Sequence, residues 1–164
     1  MKKYIPVAFL LVAFWGTRSF AQVSGTASAT VNLTVNAQVT VTTVRDLNFP
    51  SHVQDSTAAV VNPNSDGTEA AYFTLQTSAN HSCAISYTST PMTFTTGSIA
   101  WTPSVVGASS SSSQTSATTI SSGSDVTTNG TGYYYFWVGG TTAPITNTLP
   151  AGAYQGTFDL TVTY

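Results

Sequence analysis

From Val23 to Thr42 the chain alternates without a break. Odd positions carry Val23, Gly25, Ala27, Ala29, Val31, Leu33, Val35, Ala37, Val39 and Val41, and every even position carries Ser, Thr, Asn or Gln. A period of two built from Val and Thr predicts a strand with its odd face inward. At ~3.3 Å per residue such a run extends roughly 65 Å, whereas strands in globular domains are about 3–10 residues long. One small domain cannot pair all of it as a straight strand. Either the chain bends and crosses between sheets, or its first part projects beyond the domain.

The pattern recurs with turn signals between the runs. Residues 44–49 place Leu47 and Phe49 on one face and stop at Pro50, and 53–61 form a weaker candidate. Strands are further predicted over 70–77, 83–88, 92–94, 99–101, 133–138 and 157–164. The last of these puts Phe158, Leu160, Val162 and Tyr164 on one face and runs to the final residue of the sequence. Asn62-Pro63-Asn64-Ser65-Asp66-Gly67 is a turn by composition, since Asn, Asp and Gly tolerate positive φ. No window after residue 21 shows the 3.6-residue apolar spacing of a helix. The expected class is all-β, an immunoglobulin-like Greek-key β-sandwich, with a closed barrel as the alternative. The Ser/Thr-rich tract 107–131 reads as a long surface loop with room for one ragged hairpin. A glycosylated or ligand-contacting loop is the sharper reading of the same tract.

The start of the chain has a different character. Lys2 and Lys3 precede an apolar stretch over 5–15 broken only by Pro6, and Ser19-Phe20-Ala21 offers small residues for cleavage before Gln22. That is the layout of a secretory signal peptide. The apolar run falls short of the ~20 residues that span a bilayer, and no transmembrane anchor is expected after cleavage. The expected organisation is a signal peptide at 1–21, a donor-strand extension at 22–33, and a sandwich domain at 34–164. Localisation is expected outside the cytoplasm: at the cell surface, secreted or periplasmic.

Charge sharpens this picture. The 164 residues hold 4 Lys or Arg and 6 Asp or Glu, and only 6% are charged. Cleavage would remove Lys2, Lys3 and Arg18, leaving Arg45 alone against Asp46, Asp55, Asp66, Glu69, Asp125 and Asp159. So few cations exclude nucleic acid as a partner and an anionic membrane surface likewise. The single cysteine, Cys83, excludes an intramolecular disulfide framework and a Cys-rich zinc site.

Groups that carry chemistry are scarce. His52 follows Pro50-Ser51, and His81 lies in a predicted hairpin turn; no Gly-x-Ser-x-Gly elbow accompanies either. Cys83 shares parity with Ile85 and Tyr87, which predicts a buried thiol packing as a small hydrophobe. Asn62, Asn64, Asp66 and Gly67 match the opening of a calcium loop, but Phe73 stands where the bidentate Glu belongs. The aromatic run 133–137 divides by parity. Tyr133, Tyr135 and Trp137 share one face, Tyr134 and Phe136 the other. One face must be core. The other is either a sugar-stacking strip or covered by the Ser/Thr tract. No catalytic residue, metal or cofactor is expected, and the chain is not expected to be an enzyme.

The second half resembles something more specific. The run Tyr135-Phe136-Trp137-Val138-Gly139-Gly140, then Leu149-Pro150-Ala151-Gly152-Ala153-Tyr154-Gln155-Gly156-Thr157-Phe158, and the closing Leu160-Thr161-Val162-Thr163-Tyr164 resemble a secreted bacterial family described only as a domain of unknown function. Asp46-Leu47-Asn48-Phe49 after the alternating strand fits the same family. The Gly-x-Tyr-x-Gly turn before a terminal Thr-Val-Thr-Tyr strand is also similar to spore-coat-U-like and chaperone–usher pilin subunits. Many pilins carry an intradomain disulfide, which a lone Cys83 cannot form. The resemblance implies a Greek-key sandwich that lacks its last strand, and it implies no chemistry.

The resulting expectation is an exported structural or adhesive subunit of a bacterial surface appendage, a fimbrium-like assembly built by β-strand addition. Its partners would be copies of itself or related subunits, with a periplasmic chaperone during assembly. Val23, Ala27, Ala29, Val31 and Leu33 would plug a groove lined by Phe158, Leu160, Val162 and Tyr164. Sheet edges are usually guarded by charges, Lys above all, and no lysine follows residue 3. The alternative is a monomeric secreted carbohydrate-binding or other binding module using the Tyr133, Tyr135 and Trp137 strip.

Overall fold

The computed structural model describes Thr30, Asn32, Leu33 and residues 38–164. Contacts divide the chain into two units, 1–34 and 35–164; the architecture below is that of the second. The expected signal peptide and most of the expected donor segment, including Val23, Ala27, Ala29 and Val31, lie outside the described residues.

Eleven strands follow in order: β1 (Thr40–Arg45), β2 (Val60–Val61), β3 (Ala71–Gln76), β4 (Ser82–Ser89), β5 (Met92–Phe94), β6 (Gly97–Ile99), β7 (Trp101–Ala108), β8 (Thr118–Thr119), β9 (Ser124–Thr127), β10 (Tyr133–Thr142) and β11 (Phe158–Thr163). The one helical element among the described residues is a single 3-10 turn, Gln114–Ser116. All pairings are antiparallel. The larger sheet runs β1-β3-β10-β7-β8, with β2 prolonging the line of β3 along β10; the smaller runs β11-β4-β9. β5 and β6 form a separate hairpin.

The two sheets face each other across one core. Ala71, Phe73 and Leu75 from β3, with Tyr134, Phe136 and Val138 from β10 and Val105 from β7, meet Cys83 and Ile85 from β4 and Val126 from β9. Period-two burial along β3 and over residues 133–136 of β10 makes this possible. The chain is therefore an all-β sandwich, as the alternation indicates.

Two glycines are required by the backbone. Gly132 sits at φ 82° in the turn into β10, where an added Cβ would overlap the Thr77 carbonyl. Gly139 lies inside β10 where the chain of β2 crosses closely, and a Cβ there would meet the Val61 carbonyl oxygen.

The Ser/Thr-rich tract corrects the expectation of a single surface loop over 107–131. It contains the 3-10 turn, β8 and β9, and it sends Ile120 and Val126 into the core at 7% and 5% exposure. One inward apolar residue suffices at each place, Ile120 just after β8 and Val126 within β9, so the tract's hydrophobicity can be sparse. Along the overlong alternation, the described strand begins only at Thr40. A bulge between Thr43 and Arg45 then shifts its phase.

Candidate functional site: an open sheet edge

One side of the sandwich is stapled shut. Ile120 N–H donates to Val105 O at 2.9 Å in the large sheet, while Gly123 N–H donates to Ile85 O at 2.7 Å in the small one. The Tyr87 hydroxyl adds a bond to Ile120 O at 3.1 Å, and Tyr87 N–H donates to Ser122 Oγ at 3.0 Å. The crossing from β8 to β9 thus closes the sheets at that side.

The opposite side is open. β1 ends the large sheet and β11 ends the small one, and among the described residues neither has a partner on its outer side. Across this opening, Val39, Val41 and Leu47 face Phe158, Leu160 and Val162. All six pack against the core, yet none is fully buried. Fully enclosed neighbours such as Leu75 and Ile85, at 0% and 1% exposure, show what closure looks like.

The hydrogen-bonding groups of β11 follow from its pairing. Thr90 N–H donates to Thr157 O at 2.9 Å, and Thr157 lies opposite Thr90 in the β4–β11 register. Antiparallel strands alternate the direction of their backbone groups. Asp159, Thr161 and Thr163 therefore point their N–H and C=O at β4, and those of Phe158, Leu160 and Val162 point outward. Side chains of the same three residues turn to the core. β11 thus offers a regular edge with unpaired backbone groups above an incompletely covered apolar face. The edge of β1 is less suited to pairing. It carries the bulge and ends at Arg45, whose Nε donates to Ala70 O at 2.7 Å.

The opening is wider at one end. Around Leu47, Phe49, Trp101 and Phe158 it deepens into a cleft of about 1050 Å³ whose floor is formed by the core residues Ala71, Phe73 and Val138. Phe158 centres an aromatic cluster there, with ring centroids 6.0 Å from Phe73, 5.6 Å from Tyr87 and 6.3 Å from Trp101. Trp101 is held by a bond from its indole N–H to Thr90 O at 2.8 Å.

Of the residues singled out by sequence, Phe158, Leu160 and Val162 come together as a groove wall. Tyr164 does not join them. It is 51% exposed and stacks on the His81 imidazole, with centroids 3.7 Å apart and planes within 5°. Leu33 is described, and it is 83% exposed.

The aromatic strip is also altered. Tyr134 and Phe136 are the core face; Tyr133, Tyr135 and Trp137 lie on the outer face of the large sheet. Trp137 is only 3% exposed, so it cannot serve as an open stacking platform. Tyr72, which sequence reading missed, joins the row. It stacks on Trp137 at 5.4 Å and on Tyr135 at 6.3 Å, and Tyr133 stacks on Tyr135 at 6.2 Å. The available signal was its outward parity between Ala71 and Phe73. Burial, with Tyr135 beside it, pushes the Tyr72 hydroxyl's pKa up against the opposing pull of Arg45.

The other candidates are tied into the scaffold. The Asp66 carboxylate accepts from Asn62 N–H, and the Asn64 amide donates to Gln114 O and Ala117 O at 3.1 and 3.0 Å. Those groups organise a turn. Ser56 Oγ lies 3.4 Å from His52 Nδ1 at an exposed site, and no hydrogen bond joins a carboxylate to that ring. Cys83 is 1% exposed, and burial pushes its thiol up, with Asp125 adding to the shift. Among the described residues no three His, Cys, Asp or Glu side chains form a metal-binding group, and no helix is long and apolar enough to cross a membrane. No family model and no curated protein matches this chain.

Proposed function

We propose that the chain is an exported structural subunit that assembles with copies of itself by adding a β-strand to the free edge of β11. The observation that carries this reading is the coincidence on one strand of outward backbone groups and half-covered inward side chains at Phe158, Leu160 and Val162. Strand addition uses both, the backbone for affinity and alternate side chains for specificity. The segment 22–33 supplies apolar side chains at every second position, the spacing such a groove accepts. In this reading the sandwich is an immunoglobulin-like Greek key lacking one strand, as the pilin resemblance implies. The protein acts at the cell surface in adhesion or scaffolding and is not an enzyme. A periplasmic chaperone covers the edge before assembly.

The test uses the chain exported from its own host. Mass spectrometry is expected to find Gln22 at its start, and electrophoresis without boiling is expected to show a ladder. Truncation to Leu33 abolishes the ladder. So does Val31→Asp, which forces a charge into an apolar groove. Ladders unchanged by both variants, or a wild-type chain that never assembles, refute the proposal.

A second reading rests on the outer aromatic row. Tyr72, Tyr133 and Tyr135 are half-exposed with near-parallel rings, an arrangement suited to a carbohydrate-binding module that works as a monomer. Binding of a neutral polysaccharide by wild type, lost in Tyr135→Ala, would favour it.

A further inference from the structure

The groove is asymmetric, and so is the segment proposed to fill it. Along β11 the opening is widest at Phe158, where the 1050 Å³ cleft lies, and the cleft does not extend to Leu160 or Val162. Along the segment, inward side chains grow from Ala27 and Ala29 through Val31 to Leu33. Leu33 is also the most exposed large apolar residue described, at 83%, so it retains nearly all the apolar surface that docking would remove from water.

Resting on the strand-addition reading, we infer that Leu33 of a second copy is the anchor in the cleft beside Phe158, with its segment antiparallel to β11. In that register Leu33 lies opposite Phe158, Val31 opposite Leu160 and Ala29 opposite Val162. Directly opposed residues share a face, so all three plugs point to the core. In the reverse orientation a segment with Val23 in the cleft would carry Leu33 past the end of β11, and one with Leu33 opposite Val162 would leave only Ala29 for the cleft.

The same geometry excludes a chain filling its own groove in this orientation. Phe158 packs on Phe73, which pairs with Thr43 near the end of β1, whereas Tyr164 stacks on His81, just beyond the end of β3 that pairs with Thr40. β1 and β11 thus run in opposite directions along the opening, and β1 starts at the tight end. To place its own Leu33 at Phe158, a chain would have to return to Gln38 at the tight end within five residues. An extended chain covers at most ~3.6 Å per residue, about the length of the groove from Gln38 to Thr43, with nothing left for the two reversals. A second copy has no such constraint. Its body emerges from the wide end, and the contact is heterologous and head-to-tail, the kind that propagates into a filament.

Paired cysteines in the full exported chain read out the orientation. On the outward face of the proposed register, Asn32 lies opposite Asp159. Oxidised Asn32→Cys/Asp159→Cys protein is expected to give a disulfide-linked ladder under denaturing conditions, and Ser24→Cys/Asp159→Cys only monomer. Leu33→Ala is expected to weaken assembly at least tenfold, as loss of a buried Leu side chain implies, while Val23→Ala changes it less than threefold. A ladder from the Ser24 pair, a monomer with an internal disulfide from the Asn32 pair, or equal effects of the two alanine variants overturns the inference while leaving strand addition standing. Failure of the wild-type chain to assemble removes strand addition itself, and this inference with it.

Discussion

Leu75 and Leu160 are the same residue type on facing sheets of one core, which makes their truncation a measure of closure. Leu75 is fully buried, and Leu160 is packed on the same cluster from the open side. Leu→Ala at an enclosed site costs about 3–5 kcal/mol, part transfer and part cavity. For Leu75→Ala that upper-range cost is expected. At Leu160 the removed atoms leave no sealed cavity, and part of their surface already meets water in the isolated chain. The cost there falls to roughly 1–2 kcal/mol, from the partial transfer term alone. With ~3 °C per kcal/mol for a domain of this size, melting of the dissociated protein should drop by about 10–15 °C for Leu75→Ala and about 3–6 °C for Leu160→Ala. Under the strand-addition proposal, assembly would cover the Leu160 site and raise its penalty towards that of Leu75. Urea midpoints with the m-value checked for constancy provide the independent measure. Equal penalties in the dissociated protein would mean that β11 is already covered, refuting the open-edge argument.

Cys83 should resist thiol reagents in the folded protein and react quickly in urea. Its raised pKa also means the unfolded chain loses that proton first, so stability should decline as pH rises above about 8.5, the free thiol's value, and level off beyond the folded value; a pH series of melts against Cys83→Ala checks this. Asn129→Ala should destabilise by about 1–3 kcal/mol. Its Oδ1 accepts from Thr131 N–H at 3.0 Å and Tyr133 N–H at 2.9 Å, and its amide donates to Ser109 O at 2.9 Å; thermal melts are the readout. Neither EDTA nor millimolar Ca²⁺ should shift the melting temperature, because binding to the native state would have to raise it and the Asp66 carboxylate already serves the Asn62 turn; a rise of several degrees would restore a calcium site there.

Where side chains alternate cleanly, the strands were legible. β3, β4, β5 and β11 fall within a residue or two of the expected runs, and the inward set Phe158, Leu160 and Val162 follows from parity alone. β7 was not, beyond its first residue. It contains Pro103 and Gly107, both strand-breaking signals, and it tolerates Pro103 because β8 pairs only with Val106 and Gly107, leaving the proline's side of the strand without a partner. β8 and β9 hid in a serine-rich tract for the reason already given. The site was half legible. Alternation names the residues that face inward, but whether a strand ends a sheet depends on pairing between distant segments. Tyr164 shows the limit of parity: it continues the β11 alternation, yet the strand stops at Thr163 and the ring lies on His81.

The most direct test of the open edge is amide hydrogen exchange along β11, measured residue by residue in the dissociated and the assembled protein. The account predicts that the dissociated protein protects the amides of Asp159, Thr161 and Thr163, which face β4, and exchanges those of Phe158, Leu160 and Val162 freely. Assembly should then protect the second set as well. Equal protection of both sets before assembly, or no gain at Phe158, Leu160 and Val162 after it, would contradict the claim that β11 receives a strand from another copy.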